Sequence, residues 1–459
     1  MLEKRLLETI LGIASSTGAD FAEVYCEKTR NGSIRLLGGE IDSISDEVVS
    51  GVGIRAFQGV RTVYGSTSDI TEAGLIKCAR AVAAAIGEGG SESRVVLTER
   101  IFPNIHPVKI NPATAEMKYK CDLLRSACSA AKNYDERIAQ VVGNLINVDH
   151  TIQIANTEGL LTSDRHIRTR MAVSATASDG KENQSGSSSP GRGMGLEMFD
   201  TIIPEEIGKE ASRQAVTNLL ADYCKAGQMP VAIENGFGGV IFHEACGHSL
   251  EATSVGVGMS EMCGKLGEKI ANEKLTAIDD GTIPGAWGSV NIDDEGNPTK
   301  RNVLIENGVL KSYMVDRLGS RRMGMAMTGN SRRQSYTYEP TSRMTNTFID
   351  NGPDKNEDII SSIEFGLYAK SMGGGSVNPL TGAFNFAVNE GYMIRNGKIC
   401  EPVRGASLVG NGSQIIKDID MIGNNLATAQ GMCGSSSGSV PTDVGQPLIR
   451  VSNITVGGR

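Results

Sequence analysis

The sequence has few residues of the kinds that define several protein classes. Aromatic residues make up 5% of its 459 residues, with a single tryptophan, whereas glycine occurs 56 times. This composition favours hairpins and loops over a helical bundle. No stretch approaches the roughly 18 apolar residues of a membrane-spanning helix. The N-terminal segment interleaves charges with Leu and Ile, so it indicates an amphipathic helix rather than a signal peptide.

The sequence also lacks an excess of positive charge, and it lacks cysteines spaced as pairs. Lysine and arginine number 45 against 53 aspartates and glutamates, which gives a formal net charge of -8. This balance disfavours a general phosphate-binding surface, and we expect no direct binding of nucleic acid. The nine cysteines are an odd number and include no C-x-x-C pair. A reduced, cytoplasmic protein is therefore the simplest interpretation.

Hydrophobic patterning along the chain predicts an α+β fold with helices packed on antiparallel sheets. The length favours two domains, an N-terminal α+β domain of residues 1–226 and a strand-rich C-terminal domain of residues 227–459. Alternating or β-branched segments predict strands at 21–66 and 138–178, with Asn-Gly hairpins at 305–315 and 394–403. Periodicity and capping residues predict helices at the N-terminus and at 71–86, 111–133, 204–226 and 236–253.

Two segments rich in Gly and Ser predict connections without regular structure. Residues 88–93, EGGSES, indicate a short loop, and residues 179–195, DGKENQSGSSSPGRGMG, indicate a longer mobile one. The longer segment is either a plain surface connection or a flap over a site, because long loops in compact domains are often lids.

The main cluster of chemically useful residues is FHEACGHS, at 242–249. It differs from the zinc motif H-E-x-x-H because three residues separate Glu244 from His248. Histidines four residues apart on a helix differ in direction by about 40° and can share a metal, whereas those five apart differ by about 140°. The motif therefore holds a metal only if the helix is bulged or ends there, and Gly247 permits such a distortion.

If the two histidines bind zinc, Glu244 is placed as a general base for amide hydrolysis. A hydrolytic zinc has three protein ligands and one open position for water, whose proton the carboxylate would pass to the leaving amine. Spacing leaves the third ligand open among Glu251, Cys246, Cys263 and Cys433. Each cysteine is alternatively a small buried core residue, and the histidines are alternatively ordinary polar residues of a helix.

Several segments together resemble the TldD/PmbA family. In chain order they are VIFHEACGHSLEA, SVNIDDEGNPTKRNVLIENGVLKSYMVDR, TGNSRRQSY, RMTNTFI, GGGSVNPLTGAFNFAVNEGYMIRNGK, RGASLVGNG, GMCG and VGQPLIRVSNITVGG. The likeness is close over residues 230–459 and weaker before them. The His-Glu-x-x-x-His motif resembles the TldD branch, whose members are zinc metallopeptidases, whereas the PmbA branch lacks it.

The resemblance implies a ligand set, a reaction and a partner. Zinc would be bound by His243, His248 and Cys433, with Glu244 as the catalytic acid and base, and Glu251 would support a ligating histidine. The reaction would be cleavage of peptides and unfolded polypeptides inside an enclosed cavity, including maturation of ribosomally made peptides. The assembly would be a homodimer or a heterodimer with a PmbA/TldE-like subunit. The substrate-binding residues are not indicated.

Two other functions stay open on the sequence. One is a non-catalytic, PmbA-like partner protein with a vestigial site. The other is a thiol enzyme that uses Cys433, which would leave the histidines and Glu244 without a role. Arg332, Arg333 and Arg343 either hold a substrate carboxylate or an oxyanion, or make contacts between domains or subunits.

Overall fold

The computed structural model describes residues 1–87, 94–378 and 381–459, so the predicted loop at 88–93 lies outside the described residues. The architecture is α+β, with mainly antiparallel sheets covered by helices, as the sequence predicts. Among the described residues, no helix combines the length and the apolar character needed to cross a membrane.

One eight-stranded sheet organises the N-terminal half. Its strands are β1 (Phe21–Leu37), β2 (Glu40–Gln58), β3 (Arg61–Thr67), β4 (Thr98–Glu99), β5 (Ile138–Asn156), β6 (Leu160–Ser178), β7 (Asn183–Ser188) and β8 (Gly191–Arg192). Their order is β3-β2-β1-β5-β6-β4, and β7 and β8 both pair with β6. The helices of this half are α1 (Lys4–Ala14), α2 (Glu72–Ile86), α3 (Met117–Lys132) and α4 (Pro204–Leu220).

These helices cover the sheet because each buries an apolar face against it. α1 and α2 share one hydrophobic core with β1 and β2, and α3 and α4 share another with β5 and β6. The side chain of Thr71 caps α2 by accepting the backbone N–H of Gly74, and Gly87 follows its last turn. The predicted helix at 71–86 is therefore confirmed.

Among the described residues, the strands of the C-terminal half form three sheets. They are β9 (Asp222–Tyr223), β10 (Gly227–Ile233), β11 (Ala277–Asp280), β12 (Arg301–Glu306), β13 (Val309–Leu310), β14 (Ser331–Arg332), β15 (Thr341–Ser342), β16 (Asn346–Ile349), β17 (Phe365–Val377), β18 (Ala383–Arg395), β19 (Lys398–Arg404), β20 (Ser407–Asn411), β21 (Ile419–Ile422), β22 (Ala427–Ser435), β23 (Gly438–Gln446) and β24 (Ile449–Gly457). The helices are α5 (Val240–Ala245), α6 (Ala252–Val255), α7 (Arg317–Met323), α8 (Asn356–Ser361) and α9 (Gly412–Asp418).

Two of these sheets surround the segment that carries the histidine motif. One has the order β17-β10-β24-β20-β18-β19-β9, with β21 beside β24, and a further pairing of β17 with β18 closes part of it into a ring. The other has the order β13-β12-β11-β16-β23-β22, and β14 and β15 form a separate pair. Parallel pairing joins β10 to β17 and β16 to β23. One large core fills the space between the two sheets and includes Ile241, Phe242 and Ala245 of α5.

Both predicted Asn-Gly hairpins are confirmed. Asn307 and Asn396 have φ of 48°, and the following Gly308 and Gly397 have φ of 79° and 71°. Two successive positive φ values suit the tight turns whose twist matches that of antiparallel strands, and Asn and Gly tolerate them best. The division into two domains at residue 226 stays a prediction.

Three predicted segments outside the histidine motif differ from the structure. α3 begins at Met117 rather than near Asn111, because the Asn111 side chain accepts the N–H of Ala113 in a turn of its own. α4 ends at Leu220 because β9 follows directly and pairs with β19. The prediction of a mobile loop at 179–195 is wrong. β7 and β8 extend the sheet along β6, and the side chain of Gln214 in α4 accepts the N–H of Ser187.

Candidate metal centre

The helix that carries the first histidine ends inside the motif. α5 stops at Ala245, and Cys246 has the non-helical angles φ -132° and ψ -41°. A single 3-10 turn, Gly247–Leu250, follows and carries His248. The single helix predicted for 236–253 is therefore wrong, but the break corresponds to one of the two distortions that the spacing requires. It turns the second histidine back toward the first, so that their ring centroids lie 5.1 Å apart.

Two glycines let this segment pack closely against its neighbours. A Cβ at Gly239, just before α5, would lie 2.4 Å from the backbone of Gly445 in β23. A Cβ at Gly247 would lie 2.4 Å from the sulfur of the buried Met344. Gly247 does not have a positive φ, so its role is close packing rather than the backbone freedom expected from the sequence.

Cys433 reaches the two histidines from the strand β22. It lies opposite Val440 of β23 and is 5% exposed. Its sulfur lies 3.1 Å from Nε2 of His243 and 3.3 Å from Nε2 of His248. One ligand atom from each of the three residues lies within 4.8 Å of the others. The fold thus brings together three side chains that span 190 positions of the chain.

The charges within this cluster favour a thiolate. Burial alone would raise the pKa of the Cys433 thiol, but the charge of His243 and hydrogen bonds from both histidines lower that pKa to about 3. Burial would lower the pKa of His248, yet the carboxylate of Glu251 and the sulfur of Cys433 hold it well above its ordinary value. Thiolate is the form of cysteine that binds metals, so Cys433 is in the form that a metal ion would require.

Two glutamates flank His248 and differ in their surroundings. An oxygen of Glu251 lies 3.2 Å from Nδ1 of His248, which fixes the ring with Nε2 toward Cys433. Glu251 is buried, and its backbone forms an isolated parallel β-bridge with Met314. A Glu244 oxygen lies 3.8 Å from Nε2 of His248, the side chain is 24% exposed, and its carboxylate has no hydrogen bond within the described part of the chain. Glu251 is therefore held against His248, whereas the Glu244 carboxylate is left without a hydrogen bond among the described residues.

Arg343 joins the two separate parts of the cluster. Its fully buried guanidinium donates to the carbonyl oxygen of Cys433 at 2.5 Å, and to Ser437 Oγ and Gly438 O at 3.0 and 2.9 Å. Its Nε lies 3.8 Å from an oxygen of Glu251. The sequence offered Arg343 as a possible holder of substrate, with no signal for this internal role.

The other residues considered for the site lie elsewhere. Cys246 is in the hydrophobic core, where burial raises the pKa of its thiol to about 12. Cys263 donates to the carbonyl of Val255. Arg332 donates to two backbone carbonyls, and Arg333 pairs with Glu23 of the N-terminal sheet, so both make structural contacts.

The donor set and its spacing suit a metal ion of the kind that Cys and His ligands prefer. Tetrahedral zinc with bonds of about 2.0 Å to nitrogen and 2.3 Å to sulfur separates its ligand atoms by about 3.3–3.6 Å. The two sulfur–nitrogen distances, 3.1 and 3.3 Å, need only a small expansion. The convergence of both Nε2 atoms on one thiolate indicates that these residues fit such an ion.

The chain is similar in sequence to known metallopeptidases. Family models match residues 22–86, 110–219 and 226–458, described as domain 1, the central domain and the C-terminal domain of the PmbA/TldA metallopeptidases. The "Metalloprotease TldD homolog" of Haemophilus influenzae is 36% identical over 100% of this chain and 97% of its own length. The "Zinc metalloprotease TldD homolog" of Saccharolobus solfataricus is 33% identical over 57% of this chain and 58% of its own length.

Solved structures share the fold over nearly the whole chain. A Thermotoga maritima protein matches with a TM-score of 0.80 and 22% identity, covering 99% of each chain. TldE from Thermococcus kodakarensis matches with a TM-score of 0.78 and 20% identity, covering 99% of this chain and 100% of its own. At such identities the likeness concerns the fold alone.

Proposed function

This chain belongs to the PmbA/TldD metallopeptidase family, and from that premise we propose that it is a zinc-dependent peptidase. The observation that carries the proposal is the convergence of His243, His248 and Cys433 beside a carboxylate, Glu244, that has no hydrogen bond among the described residues. A vestigial site would have no reason to keep three ligand atoms and a free carboxylate together.

The proposed roles follow from the contacts of each side chain. His243, His248 and Cys433 would hold zinc, and bound zinc would supply a Lewis acid that polarises the scissile carbonyl. Glu244 takes a proton from the attacking water and passes it to the leaving amine. Glu251 orients His248 through Nδ1, at 3.2 Å, so that Nε2 stays available to the ion.

The substrates proposed are peptides and unfolded polypeptides, including precursors of ribosomally made peptides, cleaved inside an enclosed cavity in the cytoplasm. Cleavage in a closed cavity would exclude folded proteins because they cannot enter. The assembly that we propose, from membership of the PmbA/TldD family, is either a homodimer or a heterodimer with a PmbA/TldE-like subunit. The metal site would belong to a C-terminal metallopeptidase domain, residues 227–459, beside an N-terminal domain of residues 1–226.

The test separates metal binding from proton transfer. The Glu244→Gln variant removes the proton acceptor but no ligand, so it should retain zinc and lose cleavage of an unfolded polypeptide by at least about a hundredfold. Glu268→Gln, at an exposed position outside the cluster, is the matched control and should leave both unchanged. Cleavage by zinc-loaded Glu244→Gln at the rate of the parent would exclude the general-base role.

The alternative functions predict other results in the same assays. A non-catalytic partner would bind no stoichiometric metal and would cleave nothing in any pairing. A thiol enzyme would retain its activity with a chelator and lose it on alkylation of Cys433. Both assays are made with and without a PmbA/TldE-like partner, because a second subunit would complete the enclosed cavity.

A further inference from the structure

A second site lies behind the strand that carries Cys433. A cavity of about 570 Å³ opens between β1, β5 and β6 of the N-terminal sheet and the back of β22 and β23. Neither the three residues of the metal-binding cluster nor Glu244 lines it. Met432 does, and neighbouring residues of a strand face opposite sides, so the cavity and the cluster share one strand without sharing a face.

Two buried arginines on the cavity wall have no carboxylate partner in the part of the chain that the structure describes. Arg168 is 5% exposed, and it donates from Nε to Trp287 O and from Nη2 to Ser289 O, at 2.8 and 3.3 Å. Arg332 is 4% exposed, and its Nη1 donates to Met344 O and Pro441 O. Within the described residues, Nη1 of Arg168 and Nη2 of Arg332 have no hydrogen-bond partner, and neither guanidinium has a carboxylate within ion-pair distance.

Two unpaired guanidinium groups on one wall are unfavourable unless an anion joins them. Burial, together with the nearby charge of Arg332, lowers the pKa of Arg168 to about 9. Burial likewise lowers the pKa of Arg332 to about 10. Both guanidinium groups nevertheless stay protonated at neutral pH, so the wall carries two positive charges. Each group also has N–H donors that could bind an anion.

The acidic groups of the cavity are already engaged by other donors. Glu27 accepts from Thr29 Oγ1 and from the backbone N–H of Tyr336, both at 2.6 Å. Asp294 accepts the N–H of Arg333 at 2.7 Å. It raises the pKa of both Arg168 and Arg332 only through space, from beyond ion-pair distance.

The remaining charged groups of the wall also have partners or are neutral. Arg333 is paired with Glu23 at 3.0 Å. Burial, with the nearby charge of Glu295, raises the pKa of Asp293 to about 8, so that carboxyl is mostly protonated at neutral pH. Burial holds the pKa of His150 well below its ordinary value, so its ring adds no charge.

We propose that this cavity is an oxyanion-binding site in which Arg168 and Arg332 bind a carboxylate or a phosphate group. Guanidinium groups bind both anions by paired, charge-assisted hydrogen bonds. Arg170, which lines the same wall and donates to Ser189 Oγ at 2.9 Å, adds a third positive charge. The carboxylate could belong to a peptide terminus and the phosphate to a free anion, and the two sources are separable by experiment. The inference does not depend on the proposed hydrolysis.

The protein contains its own reporter for this cavity. Trp287 is the single tryptophan of the chain and lines the cavity. Its Nε1 donates a hydrogen bond to Gly431 O. The full-length protein is titrated at constant ionic strength while Trp287 fluorescence is recorded. The probes are inorganic phosphate, N-acetyl tetra-alanine with a free carboxyl terminus, and the same peptide with an amide terminus. The proposal predicts a saturable change with a dissociation constant of about 1 mM or lower for at least one anion.

The probes also identify the source of the anion. A response to the free acid that is absent with the amide assigns the site to peptide carboxylates, and a response to phosphate alone assigns it to a free anion. No saturable response to phosphate or to the acid up to about 20 mM would overturn the proposal. A response that disappears with a chelator would also overturn it, because the binding would then belong to the metal-binding cluster.

Matched variants test the position of the site. Val49, which is 40% exposed, lines the cavity, whereas its neighbour Val48, 59% exposed, does not. Val49→Glu should weaken anion binding about fivefold or more by charge repulsion, and Val48→Glu should leave it unchanged. Arg168→Met should weaken it about tenfold or more. If Arg168→Met fails to fold, the valine pair decides alone: equal affinities for Val48→Glu and Val49→Glu would contradict the proposal.

Discussion

Replacing Arg343 by lysine should loosen the metal site without changing any ligand. The guanidinium makes three hydrogen bonds to residues of the Cys433 segment and lies 3.8 Å from Glu251, which orients His248. A lysine ammonium at the same place cannot keep this fork of contacts, so we expect about two of the three hydrogen bonds to be lost. At about 1.5 kcal/mol for each such bond, the free energy of unfolding should fall by about 3 kcal/mol.

The same change should weaken zinc binding by about 10–100-fold, which is the usual effect of losing a residue that orients metal ligands. Zinc affinity is measured by competition with a chromophoric chelator, and stability by denaturant unfolding of the metal-free protein. Arg55→Lys is the matched control, because Arg55 is equally buried but pairs with Glu23 and Glu295 instead. It should lower stability to a similar extent and leave zinc affinity unchanged. An Arg343→Lys variant that is less stable but binds zinc with the parent's affinity would refute this reasoning.

Two further predictions concern the break in the motif and a buried carboxyl group. Gly247→Ala should lower the free energy of unfolding by about 1–3 kcal/mol, because its Cβ would overlap the Met344 sulfur. Gly434→Ala, whose Cβ would meet nothing within 4 Å, is its control; equal loss in both variants would contradict the packing argument. Burial and the charge of Glu295 raise the pKa of Asp316 to about 7, from 3.8. A raised carboxyl pKa contributes stability that is present below the unfolded value and lost as pH rises, here between about pH 4 and 7. Asp316→Asn should therefore flatten the fall in unfolding free energy across this range, and an unchanged slope would show that other groups cause it.

The sequence predicted the parts of the fold that local rules decide. The hairpins at Asn307-Gly308 and Asn396-Gly397 followed from backbone preferences of two residues, and the helix at 71–86 followed from an alanine-rich segment that ends before Gly87. The sequence misled where longer-range contacts compete with local preference. Residues 179–195 have the amino-acid composition of a loop, yet two parts of this segment form strands because they hydrogen-bond to β6 and to Gln214.

The candidate site was predicted in its residues but not in its construction. The spacing of His243 and His248 required a break in the helix, and the structure locates that break at Cys246. Cys433 was implied by resemblance alone, because nothing local indicates which strand will lie 3.1 Å from His243. Arg343 connects Cys433 to Glu251, two residues that are far apart in the chain, and no sequence motif predicts this contact.

Metal analysis of purified protein decides whether His243, His248 and Cys433 form a zinc site. The parent and the Cys433→Ser variant are compared by mass spectrometry of their metal content after identical purification. We expect about one zinc per chain in the parent and much less in Cys433→Ser. A parent that holds no metal and gains none on reconstitution, or a variant that keeps the parent's full content, would contradict this expectation.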